Sequence, residues 1–398
     1  MQEKPLAGIR VLEFGGYIAA PYATSLLASL GAEVIKIERP VVGEDFRRGV
    51  DNKSPYFIQY NGGKRSAAVD LKDPQGIEFV RRLIPTADVI VENLRPGKMD
   101  ALGLGRDACT ELRADLVYVS VTGFGNDGPL AQRPAYDMIG QAFGGMISLL
   151  SDKGAMQLTG TCLADLVTGL STTAGILAAL VARGRGAGGQ HVETSIAEAM
   201  STVTVDSVTQ YYEDGKKDPH RQSRHPQANN FVFRTATEDF LTVHLSSSQK
   251  FWRSFLHAIG REDLAVDERF ANYADRVRNY FELAPMLAET LATRPAAEWE
   301  ERLIEHDVPF SPVHTISSLQ EDPQMKWLDL YEPETDGVAQ VRPPWRFDGE
   351  RPHRDLPAPR VGEHTLEIAA EVCPPEEVEE LLASGVIYTQ ESEYVSSN

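Results

Sequence analysis

The stretch LADLVTGLSTTAGILAALV, residues 163–181, holds one charged side chain, Asp165, among residues that are otherwise apolar or small. It is short and rich in Ser, Thr and Gly, so its composition is typical of a buried helix and not of a membrane span. The segment Arg183-Gly184-Arg185-Gly186 follows, and cations with glycines are favoured where a helix ends. The sequence therefore predicts a buried helix with an aspartate in its first turn.

Asp165 has two interpretations. An aspartate at the start of a helix often serves as its N-cap, because the side-chain oxygen accepts hydrogen bonds from the unpaired backbone N–H groups of the first turn. Alternatively, the helix-end donors keep the carboxylate ionised while apolar neighbours exclude water. A carboxylate in that environment can act as a nucleophile. The helix alone does not decide between the two.

The composition of the 398-residue chain excludes several classes of protein. Its formal net charge of −19 argues against nucleic acid and anionic membranes as partners. The three cysteines and the scattered histidines show no metal-ligand spacing, so we expect no metal site and no disulfide framework. No N-terminal signal is evident, which predicts a cytoplasmic location. A local basic cluster is still available for a polyanionic small ligand: Lys36, Arg39, Arg47, Arg48, Lys64, Arg65 and Lys72.

Strand-like and helix-like segments alternate along the first 121 residues. Helix-like segments lie at 22–30 and 74–83, between strand-like runs at 9–14, 33–38, 66–71, 88–92 and 116–121. This alternation predicts an α/β fold with a doubly wound, mostly parallel sheet. Ligands of such sheets bind in the loops at the carboxyl ends of the strands.

A dinucleotide-binding fold is an alternative that the same segments raise. Gly15-Gly16 follows the first strand, and Glu38 ends the second, where a ribose-binding acid would stand. The G-x-G-x-x-G fingerprint is absent, however, and Pro21 stands where the glycine-to-helix turn would continue. An NAD-dependent dehydrogenase therefore remains an alternative, although the sequence lacks the motif that such an enzyme uses to bind its cofactor.

The chain is predicted to form two domains. Residues 1–210 form the N-terminal part of the large domain, and the polar tract 211–230 is predicted to be a linker. Strands followed by helices in 231–320 predict a smaller α+β domain. The proline-rich residues that begin 321–398 predict an extended return to the large domain.

Short motifs along the chain follow the order found in one enzyme family. They are PLAGIRVLEF (5–14), LGAEVIKIER (30–39), NGGKRS (61–66), DLKDPQG (70–76), VENLRPG (91–97), VTGFG (121–125), PAYDMIGQAFGG (134–145), the Asp165 helix and GGQHVETS (188–195). Together they resemble the class III CoA-transferases, the group of formyl-CoA transferase and carnitine CoA-transferase, whose superfamily includes α-methylacyl-CoA racemase. The resemblance extends from about residue 5 to residue 370.

The resemblance implies a large Rossmann-like domain built from both chain ends, a smaller α+β domain and an interlocked homodimer. It implies acyl-CoA and organic acids as substrates, with coenzyme A as a substrate and no permanently bound cofactor. In the implied mechanism Asp165 attacks a thioester to form an aspartyl anhydride, which the CoA thiolate converts to an aspartyl-CoA thioester.

The resemblance also assigns site residues by motif. It places the substrate near Ile18, Tyr136 and Asp137, with Gly144 and Gly145 as oxyanion donors. From the residues alone, Asp137 would equally cap the helix that follows it, and the two glycines would equally end that helix. The implied contacts to CoA are Tyr17, Ala19, Arg39, Leu71, Lys72, Asn93 and Leu94, with Arg106 in place of a family arginine that falls on Ala101.

Two departures from the family pattern bear on the substrate and the reaction. Formyl-CoA transferase has a glutamine where this chain has Ile18, which argues against oxalate or formate and for a larger or more apolar acyl group. The racemase branch has a histidine where this chain has Tyr136, and a tyrosine with a pKa near 10 shuttles protons poorly at neutral pH. A CoA-transferase is therefore predicted, with the racemase and a non-catalytic CoA-binding protein as alternatives.

Overall fold

The computed structural model describes residues 4–48, 54–245 and 249–390 of the chain. Contacts divide the chain into two compact units, which are described separately. The first unit comprises Met1–Met146, Thr159–Val205 and Asp329–Asn398. The second comprises Ile147–Leu158 and Asp206–Leu328.

The strands of the described residues are, in chain order, β1 (Arg10–Phe14), β2 (Glu33–Glu38), β3 (Lys64–Val69), β4 (Val89–Glu92), β5 (Val117–Thr122), β6 (His191–Ser195), β7 (Asn230–Arg234), β8 (Phe240–His244), β9 (Phe310–Pro312) and β10 (Ile387–Tyr388). The helices are α1 (Ala19–Ser29), α2 (Pro55–Asn61), α3 (Pro74–Leu83), α4 (Lys98–Ala101), α5 (Arg106–Leu112), α6 (Asp137–Phe143), α7 (Met146–Leu149), α8 (Leu163–Gly184), α9 (Ile196–Val203), α10 (Val205–Glu213), α11 (Arg224–Ala228), α12 (Gln249–Ile259), α13 (Asp263–Val266), α14 (Tyr273–Arg278), α15 (Tyr280–Leu291), α16 (Ala296–Glu305), α17 (Ile316–Glu321), α18 (Pro323–Leu328), α19 (Thr365–Ala370) and α20 (Pro375–Ala383). A short 3-10 helix, Ile84–Thr86, follows α3.

The first unit is built on a seven-stranded sheet in the order β10-β3-β2-β1-β4-β5-β6. The pairs among β1 to β6 are parallel, and β10 runs antiparallel to β3. The predicted α/β fold with a mostly parallel sheet is therefore confirmed. The C-terminal strand β10 completes the sheet that the N-terminal residues begin, so both ends of the chain contribute to the first unit.

Helices cover both faces of this sheet, so most residues of its strands are buried, including the charged Glu13, Lys36 and Lys64. Because side chains alternate along a strand, β1 sends Leu12 to one face and Val11 to the other. The Leu12 face forms a core with residues of α3, α19 and α20. On the Val11 face, residues of α1 and α8 form a second core, with Ile176 and Ala179 from α8.

The order of the strands reverses at β1, because the chain adds β2 and β3 on one side and β4, β5 and β6 on the other. Such a reversal leaves a crevice beyond the carboxyl ends of the two central strands, where ligands of open α/β sheets bind. Phe14 ends β1 and Glu92 ends β4, so this crevice lies beside the residues that follow them.

Helix α8, predicted to be buried, buries one face only. By length and composition alone this 22-residue helix could cross a membrane, and 39% of its most apolar window is buried. Its contacts within the first unit are with α1, α6, α9, β5 and β6. The buried face consists mostly of small residues, such as Gly169 and Thr173, which allow a close approach to α1. The larger Leu170 and Val181, expected in the core, are 40% and 55% exposed.

The second unit contains the antiparallel sheet β7-β8-β9. Phe233 and Leu241 on one face of this sheet share a core with Trp252 of α12 and Trp299 of α16. The tract 211–230, predicted to be a linker, contains the end of α10 and helix α11. The predicted domain boundaries and the interlocked dimer remain predictions.

Candidate active site

Close packing of α8 on α1 fixes the position of Asp165. A Cβ atom added to Gly169, one turn after Asp165, would lie 2.9 Å from the Ala19 carbonyl oxygen and 2.8 Å from the Tyr22 ring. Only a glycine permits this contact without a shift of one helix. The first turn of α8 is thereby held beside the loop that connects β1 to α1.

Asp165 does not cap its own helix. Helix α8 begins at Leu163, so Asp165 is its third residue. The Oδ1 atom of Asp137 accepts hydrogen bonds from the backbone N–H groups of Ala164 at 2.8 Å and of Asp165 at 3.1 Å. The N-cap interpretation of Asp165 is therefore wrong, because another carboxylate supplies the cap.

Asp137 caps α8 and not the helix that follows it in sequence. Asp137 is the first residue of α6 and is buried. Its Oδ2 atom accepts a hydrogen bond of 2.6 Å from the Gln141 amide, which also donates to the Thr161 carbonyl oxygen at 2.8 Å. These bonds tie α6 to the start of α8, so they position the backbone on which Asp165 stands.

The Asp165 carboxyl group has an unusually high pKa. Burial, together with the charge of Asp137, raises the pKa of Asp165 from its ordinary value of 3.8 to about 7. Our expectation that helix-end donors keep this carboxylate ionised is not met, because those donors bind Asp137. Near neutral pH, similar fractions of Asp165 carry and lack the proton.

A cavity of about 560 Å³ lies at the carboxyl ends of β1 to β5. We call it the strand-end cavity. Most of the predicted site residues line it, and they come from six segments of the sequence. These are Tyr17, Ile18, Ala19, Arg39, Leu71, Lys72, Asn93, Leu94, Tyr136 and Asp165.

Four predicted site residues do not line the strand-end cavity. Asp137 lies behind Asp165 as its helix cap. Gly144 packs on α9, where an added Cβ atom would lie 2.5 Å from the Met200 Cβ atom, and Gly145 has the left-handed φ of 85° that a glycine tolerates. Arg106 opens α5 with more than half of its side chain exposed, and lies 3.6 Å from Asp107.

The backbone of the loop after β1 is bonded within the protein. The Asn93 amide accepts from the Gly16 N–H group at 3.0 Å and donates to the Gly16 carbonyl oxygen at 2.9 Å. Glu44 accepts from the Tyr17 N–H group at 2.7 Å, and Lys36 donates to the Gly15 carbonyl oxygen at 2.7 Å. These groups do not face a phosphate, which argues against a dinucleotide-binding loop.

Glu38, the residue that a dehydrogenase would use for ribose, is also bonded within the protein. Its carboxylate accepts from Arg47 at 2.8 Å and 2.7 Å and from Ser66 at 2.5 Å, and its side chain is 1% exposed. A ribose hydroxyl would have to break these bonds. Gly15-Gly16 and Glu38, the two sequence features that raised the dehydrogenase alternative, are therefore bonded within the protein, which argues against that alternative.

Three of the seven cations predicted to form a basic cluster lie inside the first unit. Lys36 and Lys64 are fully buried and each donates to Glu13 at 2.7 Å. Although burial opposes it, the charges of the two lysines lower the pKa of Glu13 to about 2. Arg47 is buried against Glu38. Buried charges require partners, and these three cations are paired within the first unit and are not available to a ligand.

The cations that do line the strand-end cavity include two that were not predicted from the sequence. Arg39 and Lys72 were predicted, and Arg95 and Arg133 join them. Both missed arginines are exposed and stand in quoted motifs, at VENLRPG and immediately before PAYD. Together the four cations could balance the phosphates of a nucleotide ligand.

No group of three or more potential metal ligands occurs within the described ranges 4–48, 54–245 and 249–390. The lining of the strand-end cavity contains the half-buried Asp165 carboxyl group, whose pKa is raised, and four cations. Raised pKa values in a cavity are a common mark of a reacting group.

Comparisons with known proteins agree with this geometry. A family model described as CoA-transferase family III matches residues 6–365. The chain is 31% identical to the succinate–glutarate CoA-transferase of Agrobacterium fabrum, covering 93% of this chain and 96% of that protein. It is 32% identical to the acetyl-CoA:oxalate CoA-transferase of Acetobacter aceti, covering 94% and 97%. A CAIB/BAIF family protein from Brucella suis superposes with a TM-score of 0.83 at 32% identity, covering 94% of this chain and 100% of that one.

Proposed function

Because the chain belongs to CoA-transferase family III, we propose that it moves CoA between two carboxylic acids through covalent intermediates on Asp165. The observation that carries this proposal is the position of the Asp165 carboxyl group in the strand-end cavity, with its pKa raised to about 7. Among the described residues, no side-chain or backbone donor binds this carboxylate. Its lone pairs are therefore available for attack on a thioester.

The proposed reaction proceeds by four acyl substitutions. A carboxylate oxygen of Asp165 attacks the thioester carbonyl carbon of the donor, the C–S bond breaks, and CoA leaves as a thiolate. This thiolate attacks the Asp165 carbonyl of the resulting anhydride, which forms the aspartyl-CoA thioester and releases the donor acid as a carboxylate. An acceptor carboxylate then attacks the aspartyl-CoA carbonyl and displaces the thiolate. The thiolate attacks the acceptor carbonyl of the new anhydride, which forms the product thioester and restores the Asp165 carboxylate.

The environment of Asp165 suits this covalent relay. A carboxylate of higher pKa is the stronger nucleophile, and splitting the exchange into steps replaces one difficult substitution with easier ones. Desolvation raises the basicity of the group, while the Asp137 cap holds its backbone in place. No net proton transfer is needed, so a second acid–base group is not required.

The lining of the cavity supports a placement for CoA. In this proposal Arg39 and Lys72 bind phosphates, Leu71 contacts the adenine, and Asn93 and Leu94 lie along the pantetheine arm. Arg95 and Arg133 add two further cations to the same cavity. Tyr17, Ile18 and Ala19 line the cavity where β1 leads into α1, and we propose that they contact the thioester end.

The family roles implied for Gly144, Gly145 and Arg106 remain predictions. None of the three lines the strand-end cavity, and Gly144 has a packing role against α9. Stabilisation of an oxyanion by the two glycines would therefore require a shift of the segment after α6. Substitution of Arg106 by Met tests the third role through the KM for acyl-CoA.

Trapping the covalent intermediates tests the proposed function. We expect the protein incubated with an acyl-CoA donor to gain the mass of CoA, and hydroxylamine to convert Asp165 to its hydroxamate. The Asp165→Asn variant should show neither product, whereas the control Asp107→Asn, with a side chain that is 91% exposed, should behave like the parent protein. A mass gain in Asp165→Asn, or none in the parent with any of a panel of acyl-CoAs, would overturn the proposal.

The racemase alternative is separated by a second readout. A racemase exchanges the α-proton of a 2-methylacyl-CoA with deuterated water and leaves the thioester intact. The two named relatives are CoA-transferases, which favours transfer. Their names include succinate, glutarate and oxalate, so dicarboxylic acids are the first class to test.

We also propose a cytoplasmic homodimer with the interlocked arrangement and the domain layout implied by the family. An apolar surface on the first unit supports a second subunit: Ile139 and Phe143 of α6 and Leu170 and Val181 of α8 are between 40% and 57% exposed. Light scattering after size exclusion should give twice the mass of the 43.9 kDa chain. A monomer that retains full activity would contradict the proposal.

A further inference from the structure

A strained residue stands at the edge of the strand-end cavity. Tyr17 has a left-handed φ of 64°, a conformation that side chains with a Cβ atom disfavour. Its backbone N–H group donates to Glu44, and the carbonyl oxygen of the preceding Gly16 accepts from Asn93. Backbone strain that neighbours hold in place occurs preferentially at functional sites. The contacts of the Tyr17 side chain are therefore relevant to the function of the cavity.

The Tyr17 side chain belongs to an aromatic cluster. Its ring centroid lies 5.6 Å from that of Tyr136, in an edge-on arrangement, and 5.5 Å from that of Phe46. Phe46 in turn lies 5.5 Å from Tyr56 and 6.3 Å from Tyr60. Offset and edge-on pairs at these distances are favourable, so the five rings form one continuous wall. We call it the aromatic wall.

The aromatic wall forms part of the strand-end cavity that Asp165 also lines. Two of its rings, Tyr17 and Tyr136, line this cavity together with Asp165. Burial, with the charge of Asp165 among the smaller causes, raises the pKa of Tyr60 in the same wall to about 12. An acyl group attached to Asp165 would therefore enter a cavity that two of these rings line.

Arg48 lies beside Phe46 in the aromatic wall. Its partners differ from those of Arg39 and Arg47, the two arginines before it in the sequence. Arg39 is paired with Asp45 at 2.5 Å, and Arg47 is paired with Glu38 at 2.7 Å. The guanidinium group of Arg48 lies 5.8 Å from the Phe46 ring centroid and donates to the Asp45 carbonyl oxygen. Among the described residues no carboxylate pairs with it.

Phe46 connects Arg48 to Tyr17. The Tyr17 ring and the Arg48 guanidinium both lie beside the Phe46 ring, and the Tyr17 and Tyr136 rings are in edge-on contact. Two phenols and one guanidinium therefore belong to one cluster, which offers hydrogen-bond donors together with a positive charge. Arginine forks and phenol hydroxyls are donors that suit a carboxylate.

We propose that Arg48, Tyr17 and Tyr136 bind the distal carboxylate of a dicarboxylic acyl group whose other carboxyl carbon reacts at Asp165. The inference rests on the proposed function, because it places the acyl group on Asp165. The aromatic wall contacts the methylene chain between the two ends. The subsite predicts a preference for dicarboxylic over monocarboxylic acids of equal length.

The half-reaction with a donor alone tests this subsite without an acceptor. Succinyl-CoA and butyryl-CoA have acyl chains of equal length, and they differ at the terminus, where one has a carboxylate and the other a methyl group. The full chain is mixed with each thioester, and the rate at which the protein gains the mass of CoA is followed by mass spectrometry. We expect succinyl-CoA to react about 10-fold or more faster at subsaturating concentration, because a charged hydrogen-bonding partner is present only for the carboxylate.

Variants of Arg48 assign the preference to the subsite. In Arg48→Met the ratio of the two rates should fall about 10-fold, and Arg48→Lys should restore part of it because the charge returns without the fork. Tyr17→Phe should lower the ratio less, since one hydroxyl is removed. The control Arg253→Met removes an exposed arginine of the second unit and should leave the ratio unchanged. Thermal melts of each variant show whether the fold is retained.

The outcomes separate the two proposals. Equal rates with both thioesters, or an unchanged ratio in Arg48→Met with an intact fold, would overturn the subsite and leave the proposed function standing. If Arg48→Met does not fold, the ratio in Arg48→Lys and Tyr17→Phe decides in its place. Failure of both thioesters and of a wider acyl-CoA panel to add CoA to the protein would instead overturn the proposed function.

Discussion

Replacing Asp165 by Asn should stabilise the protein in a pH-dependent manner, because the folded state disfavours the charged form of this carboxyl group. The pKa of Asp165 is about 7 in the folded protein against an ordinary 3.8. At 1.36 kcal/mol for each pH unit of difference, holding the carboxylate ionised costs the folded state about 4 kcal/mol above pH 7. The ionised Asp165 carboxylate therefore destabilises the folded protein.

The sign follows from proton linkage. Between pH 3.8 and pH 7 the unfolded chain has released the Asp165 proton while the folded chain still holds it, so the free energy of unfolding falls as the pH rises. The loss is small below pH 4, about 1.5 kcal/mol at pH 5 and about 4 kcal/mol at pH 8. Asparagine has no such proton. The stability advantage of Asp165→Asn should therefore grow by about 2.5 kcal/mol from pH 5 to pH 8.

Calorimetric melts of parent and variant at the two pH values measure this change. For a unit of this size, 2.5 kcal/mol corresponds to roughly 5–10 °C in Tm. The matched control Asp107→Asn removes the same charge from an exposed position and should show no pH-dependent gain. A gap between Asp165→Asn and the parent that stays constant from pH 5 to pH 8 would refute the reasoning.

The same pKa predicts the pH dependence of the reaction. Only the deprotonated carboxyl group attacks the thioester, so the rate of CoA attachment should fall about 10-fold per pH unit below pH 7 and level off above it. A rate that is already constant from pH 5 upward would show that Asp165 titrates near its ordinary pKa. That result would remove the desolvation argument.

Three further predictions follow from contacts around the site. Asp137→Ala should lower the free energy of unfolding by about 1–2 kcal/mol because it removes the external cap of α8, and the pH profile of CoA attachment should move to lower pH because a negative charge is lost. Gly169→Ala should destabilise the protein by about 1–3 kcal/mol through a clash with α1, whereas Gly184→Ala on the same helix, with no atom within 4 Å of the new Cβ, should stabilise it by about 0.5–1 kcal/mol. Lys36→Met should cost about 3–5 kcal/mol, because Glu13 is left buried with one cation instead of two; a urea-melt change below 1 kcal/mol would contradict this.

Much of the fold could be predicted from the sequence, and so could the residue that we propose as the reacting group. The alternation of strand-like and helix-like runs predicts the parallel sheet, because parallel strands are connected by crossover helices. The ordered motifs identify the family, and Asp165 stands out as the one charge in the apolar stretch 163–181. These properties depend on local composition and order along the chain, which the sequence contains directly.

Other features were decided by contacts between distant residues. The capping donors of α8 bind Asp137, 28 residues away from Asp165, and this reverses the expected effect of the helix end on the Asp165 carboxyl group. The sequence shows that Lys36 and Arg95 are charged. It does not show that Lys36 is buried against Glu13 or that Arg95 lines the cavity. Whether a charged side chain is paired, buried or free is set by which segments pack beside it. The pKa of Asp165 and the lining of the strand-end cavity therefore depend on the tertiary structure, whereas the strands, the helices and the family can be predicted from the sequence.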